Sequence, residues 1–158
     1  FDEIAGAKAT RLVPYYEWDF GIRPFTEAAW QEQGLTWSEF MRTAVGLADE
    51  LAGEIEPRYI RDHRGVIDYA IVRGDDPFLT SVVLSARFRE LFEETLGDRL
   101  HVIVVGRQLI YVFPAIGGRL EEYGTAMVDA YDRAKIPVSL EVLQVTEEGL
   151  RVIGRLED

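Results

Sequence analysis

Two adjacent carboxylates, Asp75 and Asp76, stand before Pro77 in the stretch RGDDPFLTS (73–81). Such a pair can share a proton in acid–base chemistry or lend oxygens to a metal, but both uses need partners converging from other elements. Adjacency alone does not supply them. The same residues satisfy the rules for starting a helix. Asp76 can accept from free backbone N–H groups, and Pro77 has no donor to leave unpaired at the first helical position. Asp75 adds negative charge near the positive end of the helix dipole. The stretch reads as a helix start, and neither a catalytic nor a metal residue is assigned to it.

The two histidines, His63 and His101, could in principle join those aspartates, since a histidine and carboxylate set suits several transition metals. Their spacing offers no support: His63 falls in an expected turn and His101 alternates within an expected strand. In FPAIGGRLEEYG, Gly117 and Gly118 sit between a strand and a helix, where a backbone cradle for an anion would lie. Neither phosphate-loop pattern is present, and Glu121 and Glu122 would repel an anion at the helix's first turn. Ser38 reads as part of a capping box, Ser81 and Ser85 as helical and Ser139 as strand, with no G-x-S-x-G elbow. The absence of cysteine removes disulfides, thiol nucleophiles and thiolate metal sites. No cofactor is expected.

The residues with most potential for recognition are Tyr15, Tyr16 and Trp18, within RLVPYYEWDFGIRPF. Tyrosine and tryptophan are enriched where binding energy concentrates. Their structural role would be to pack an irregular segment onto the core. They are the candidate binding residues.

The elements that would position these residues are legible from residue 35 onward. LTWSEF supplies the N-cap Thr36, Glu39 three residues on, and a Leu35/Phe40 staple. Trp37, Phe40, Met41, Ala44, Val45, Ala48, Leu51 and Ala52 follow helical spacing up to Gly53, predicting a helix over 37–52. A hairpin follows, with its turn at Asp62-His63-Arg64-Gly65. The opening stretch then starts a helix over 78–96, striped by Leu84, Phe88, Leu91, Phe92 and Leu96. RLHVIVVGRQLIYVF predicts a second hairpin turning at Gly106-Arg107 as a type II′ turn. A third helix over 119–135 and a third hairpin over 138–156 complete the chain. The first 35 residues read as an aromatic-rich irregular segment, with a short helix between Thr26 and Gly34.

This pattern predicts an α+β fold in a single domain, residues 1–158. An antiparallel sheet of three hairpins, each preceded by an amphipathic helix, would carry its helices mainly on one face. Hydrophobic residues at 47% and charged residues at 28% are ordinary for a folded globular chain, so order is expected throughout. With 17 Lys and Arg against 28 Asp and Glu, the net charge of −11 opposes binding to nucleic acid or to an anionic membrane surface. The longest apolar run, LIYVFPAI, falls far short of the roughly 20 residues a membrane helix needs. The sequence begins at Phe1 rather than methionine, as a trimmed chain with a removed leader would, and cytoplasm is the default compartment.

Taken together, TRLVPYY (10–16), TWSEFMRTA (36–44), RGDD (73–76), GDRLHVIVVGRQLIYVF (97–113) and IPVSLEVLQVTEEGL (136–150) resemble the YtpQ-like family of uncharacterised bacterial proteins. The resemblance implies a bacterial origin and a shared fold, and carries no active-site residue with it. The function expected from the residues is a non-enzymatic, acidic protein-interaction module. Its partner would be another protein, or a second copy forming a homodimer through a strand edge or the aromatic segment. Small acidic α+β chains with interleaved helices and hairpins also resemble type III secretion chaperones, so a chaperone-like role belongs to this reading. The competing class is a hydrolase or small-ligand enzyme whose polar residues converge only in the fold.

Overall fold

The structure, a computed structural model, describes residues 2–157. Short strands β1 (Asp2–Glu3) and β2 (Arg11–Leu12) pair with each other, as do β3 (Tyr15–Trp18) and β4 (Gly21–Pro24). Helices α1 (Glu27–Glu32) and α2 (Trp37–Ala52) follow. Then come β5 (Arg58–Arg61), β6 (Ile67–Arg73), a 3-10 turn over Leu79–Leu84, α3 (Ala86–Leu91) and α4 (Glu93–Leu96). Strands β7 (Leu100–Gly106) and β8 (Leu109–Pro114) precede a second 3-10 turn over Leu120–Tyr123 and α5 (Gly124–Arg133). Strands β9 (Glu141–Thr146) and β10 (Gly149–Arg155) end the chain. The fold is α+β, and its main sheet has six antiparallel strands in the order β10-β9-β7-β8-β6-β5. Among the described residues, no helix is long and apolar enough to cross a membrane.

The helices cover both faces of this sheet, which corrects the expectation of cover mainly on one. Val102, Val104, Ile110 and Val112 share a cluster with Val82, Phe88, Phe92 and Leu96. Ile103, Val105, Tyr111 and Phe113, which point the other way by strand alternation, share a second cluster with Met127, Ala130 and Tyr131 of α5. The physical reason lies in β7 and β8, whose runs LHVIVVG and LIYVFP are apolar at successive positions. A strand buried on both sides reads as a continuous apolar run, whereas a one-faced strand alternates.

The expected helix over 78–96 is broken. Asp76 accepts from the Phe78 N–H at 2.8 Å, but the turn it closes leads only into the 3-10 segment. Ser85 then adopts an extended conformation and caps α3 afresh, its Oγ accepting from the Arg87 N–H at 3.1 Å. Its hydroxyl also donates to Asp49 on α2, so this second start is held by a neighbouring element. The expected third helix likewise begins as a 3-10 turn before α5.

The segment read as irregular contains two small hairpins as well as α1. Thr26 caps α1, accepting from the Ala29 N–H at 3.0 Å, and Thr36 does the same for α2 through the Glu39 N–H at 3.2 Å. Phe25 gathers Tyr16, Trp30 and Phe40 around it at ring separations of 4.9, 5.6 and 5.7 Å. Residues 4–10 lie as a strap against β10, where the Val152 N–H donates to the Ala5 carbonyl at 2.8 Å. Gly6 makes this approach feasible: its φ is +77°, and a Cβ there would stand 2.5 Å from the Val152 carbonyl oxygen.

Candidate functional site: a cationic cleft

Gly106 determines how the second hairpin meets the end of α5. It closes β7 opposite Leu109, so the connecting residues are Arg107 and Gln108, one position later than the expected Gly106-Arg107 turn. Its φ is not positive; what the site requires is the missing side chain. A Cβ at 106 would meet the Ala134 Cβ at 3.2 Å and the Ile136 carbonyl oxygen at 3.3 Å. With glycine there, the Arg107 N–H donates to Ile136 at 3.0 Å and the Val138 N–H to Val105 at 2.9 Å.

This close approach builds a cleft of about 630 Å³ between the end of β6, the β7–β8 turn and the C-terminal end of α5. Arg73, Arg107, Arg133 and Lys135 line it, with Asp75 as the one acidic lining residue. Among the described residues, none of the four cations has an ion pair or a side-chain hydrogen bond, whereas Arg64, Arg89 and Arg119 each have a carboxylate nearby. A chain of net charge −11 therefore concentrates unpaired positive charge at one place. Converging like charges over low-dielectric walls focus the potential and attract an anion.

The expected binding residues do not form one surface. Tyr15 does not line the cleft, but the guanidinium of Arg107, which does, lies over its ring at 5.7 Å. Tyr16 turns into the Phe25 cluster, as strand alternation requires of its neighbour. Trp18 lies near the β3–β4 turn, beneath the Arg23 guanidinium at 3.6 Å and beside the exposed Phe20. Asp75 is in the cleft, while Asp76 is occupied in its turn. His63 is exposed on the β5–β6 turn, and His101 is half-buried on β7, where burial holds its pKa below the ordinary histidine value. Among the described residues, no group of three or more histidines, aspartates or glutamates is placed to hold a metal.

Two buried carboxylates were not singled out from sequence. Asp68 occupies a bulge in β6: Ile60 faces Tyr69 and Arg61 faces Ile67, leaving Asp68 as the extra residue. It receives Arg119 in a forked pair, at 2.6 Å to one oxygen and 3.3 Å to the other, and also the Tyr123 hydroxyl. The hydrogen bond to Asp68, aided by burial, pushes the Tyr123 phenol up to about 12. Glu141, 4% exposed, accepts from the N–H groups of Lys8, Ala9 and Thr10 at 2.9, 2.9 and 2.7 Å. Burial alone would raise its pKa, but the bonds from Lys8, Thr10 and Ala9 prevail and hold it below the usual glutamate value. Both carboxylates have their oxygens engaged within the chain, and their arrangement is that of structural anchors.

Comparison with known proteins found no matching family model, no matching curated protein and no matching solved structure.

Proposed function

We propose that the protein is a non-enzymatic interaction module whose cationic cleft docks an acidic segment of a partner protein. The observation that carries this reading is the set Arg73, Arg107, Arg133 and Lys135, unpaired around one cleft of an otherwise acidic chain. Tyr15 and the exposed Ile136 add apolar surface beside the charges, which suits a segment mixing carboxylates with aromatic or aliphatic residues. The net charge of −11 works against a nucleic-acid backbone, whose affinity comes from neutralising many phosphates at once.

A chaperone-like role, holding such a segment of a client, is the specific form of this proposal, and an acidic segment of a second copy is the other source of the same chemistry. The three successive units of helical segment and hairpin are proposed as the fold's building plan, shared with the YtpQ-like bacterial proteins that the sequence resembles.

The test is fluorescence anisotropy with a labelled peptide rich in glutamate and containing one tyrosine, beside a lysine-rich control. The acidic peptide is expected to bind, to weaken as salt is raised, and to lose about tenfold or more in affinity for the Arg107→Glu, Arg133→Glu double variant. Equal binding by both proteins, or none by the native chain, would overturn the proposal. Analytical ultracentrifugation of the native and double-variant chains shows whether the segment comes from a second copy.

A further inference from the structure

Beside the cationic cleft, the sheet face that carries α5 is only partly covered. α5 packs on β7, and burial falls off from there toward the β5 edge. Tyr111 on β8 faces Ile71 on β6, and Ile71 faces Arg58 on β5. Along this row Tyr111 is 7% exposed, Ile71 is half-buried and Arg58 is exposed. Ile60, opposite Tyr69, adds a second half-buried aliphatic side chain two residues from Arg58 and so on the same face. The surface continues the cleft. Arg73 and its cross-strand partner Leu109 line the cleft, and Arg73 stands two residues from Ile71 along β6, again on this face.

Arg58 and Arg73 are diagonal neighbours about Ile71, roughly 7–8 Å apart at Cα. Among the described residues, Arg58, like Arg73, has no ion pair or side-chain hydrogen bond. Burial, with Tyr111 and Asp68, raises the Tyr69 phenol, and the Arg58 charge acts against them, so that guanidinium is within electrostatic reach of this face. The Tyr111 hydroxyl also has no hydrogen-bond partner among the described residues, yet it is not a sealed atom and can still donate outward. Two unpaired guanidinium groups flanking an aliphatic side chain, with a free phenol beside them, suit a chain that alternates carboxylates with an apolar residue. A surface helix or strand of mixed charge would not match them so well, since any cation it carried would meet two like charges.

We infer, resting on the docking role proposed for the cleft, that the partner's acidic segment runs out of the cleft and across Ile71 to Arg58. From Leu109 to Arg58 the path crosses two strand spacings and a two-residue offset, about 12 Å, which about four extended residues span. The partner is therefore an extended chain with a second acidic group about four residues from the one seated in the cleft. An aliphatic or aromatic residue between the two acids rests on Ile71 and Ile60. The cleft alone would accept any short acidic cluster, whereas the added surface selects for length and for the apolar residue in the middle.

The experiment is fluorescence anisotropy at fixed salt with a short peptide of glutamates around one tyrosine. It is compared with the same peptide lengthened at either end by a glycine, a leucine and two glutamates, in that order outward. One lengthened peptide is expected to bind the native chain at least about tenfold more tightly than the short one. Arg58→Glu is expected to remove that gain and to leave the short peptide within about twofold of its native affinity. Arg42→Glu makes the same charge change on α2, whose Ala52 belongs to the cluster on the opposite face, and should keep the gain. Arg58→Gln stands in for the reversal if that variant fails to fold, and should reduce the gain at least about threefold. Equal binding of short and long peptides overturns the inference and leaves the cleft's docking role standing, whereas no binding of either removes both. A gain that survives in the Arg58 variants, or disappears equally in Arg42→Glu, also overturns it. So does a dimer of the native chain that Arg58→Glu splits in sedimentation, since a second copy would then occupy the surface.

Discussion

The Thr10 backbone N–H and hydroxyl both donate to the same oxygen of Glu141, at 2.7 and 2.8 Å, and so tie the N-terminal strap to the first residue of β9. Lys8 and Ala9 contribute two more N–H groups, and Ser139 joins through Thr10 at 2.8 Å. A buried carboxylate that receives several donors is costly to remove, because its partners lose their acceptor together. Glu141→Ala is expected to lower stability by about 2–4 kcal/mol in denaturant titration. Amide exchange at residues 8–10 should accelerate before the sheet itself opens. Because the folded-state pKa is lowered, this contribution is present above the unfolded glutamate value and is lost as pH falls through the folded one. Glu141→Gln should therefore flatten the acid limb of the stability curve.

Tyr123 gives a spectroscopic reading of the Asp68 anchor. Its hydrogen bond to Asp68 pushes the phenol up to about 12, against an ordinary value of 10.0. A raised folded-state pKa means stability that is fully present below the unfolded value and lost between pH 10 and about 12. In Asp68→Asn the Tyr123 phenolate is expected to appear earlier in an alkaline titration followed by ultraviolet absorbance. An unchanged profile would show that Asp68 does not govern the phenol.

The aromatic residues near the N-terminus separate into packed and exposed ones, and substitution should tell them apart. Phe25 is buried between Tyr16, Trp30 and Phe40. Phe25→Ala is expected to cost about 3 kcal/mol and to diminish the near-ultraviolet circular dichroism. Phe20 is 83% exposed, and Phe20→Ala should change stability by no more than about 0.5 kcal/mol. Comparable losses from the two variants would contradict the packing described.

Local chemistry made some elements readable from sequence. Thr36 and the apolar stripe ending before Gly53 mark α2 at the bounds the structure gives, and Thr26 marks the start of α1. The helix over 78–96 did not survive intact because Ser85 is held by Asp49, a contact between distant residues that helical spacing does not encode. Strands of two to four residues in the first 24 positions are too short for alternation to register. Tyr15 was singled out for its type, and its ring lies under the Arg107 guanidinium without lining the cleft. The cleft's cations were not recognised as a set, because Arg73, Arg107, Arg133 and Lys135 come from separate elements joined only by sheet order and by the approach at Gly106. Arg89 gave no signal either: an arginine on a short helix is ordinary until its surroundings show one terminal nitrogen, Nη1, buried without a hydrogen-bond partner.

The strap over β10 also bears on how the chain behaves in a crowded solution. A six-stranded sheet ends in two ladders of unfilled peptide groups, and such ladders can template strand addition between molecules. On the β5 side the ladder is short, has an arginine at each end and is distorted by the Asp68 bulge. On the β10 side Ala5 occupies part of the ladder, and Gly6 permits its close seat. Cleavage within the first ten residues would free the Val152 N–H from Ala5 and lengthen the border open to strand addition.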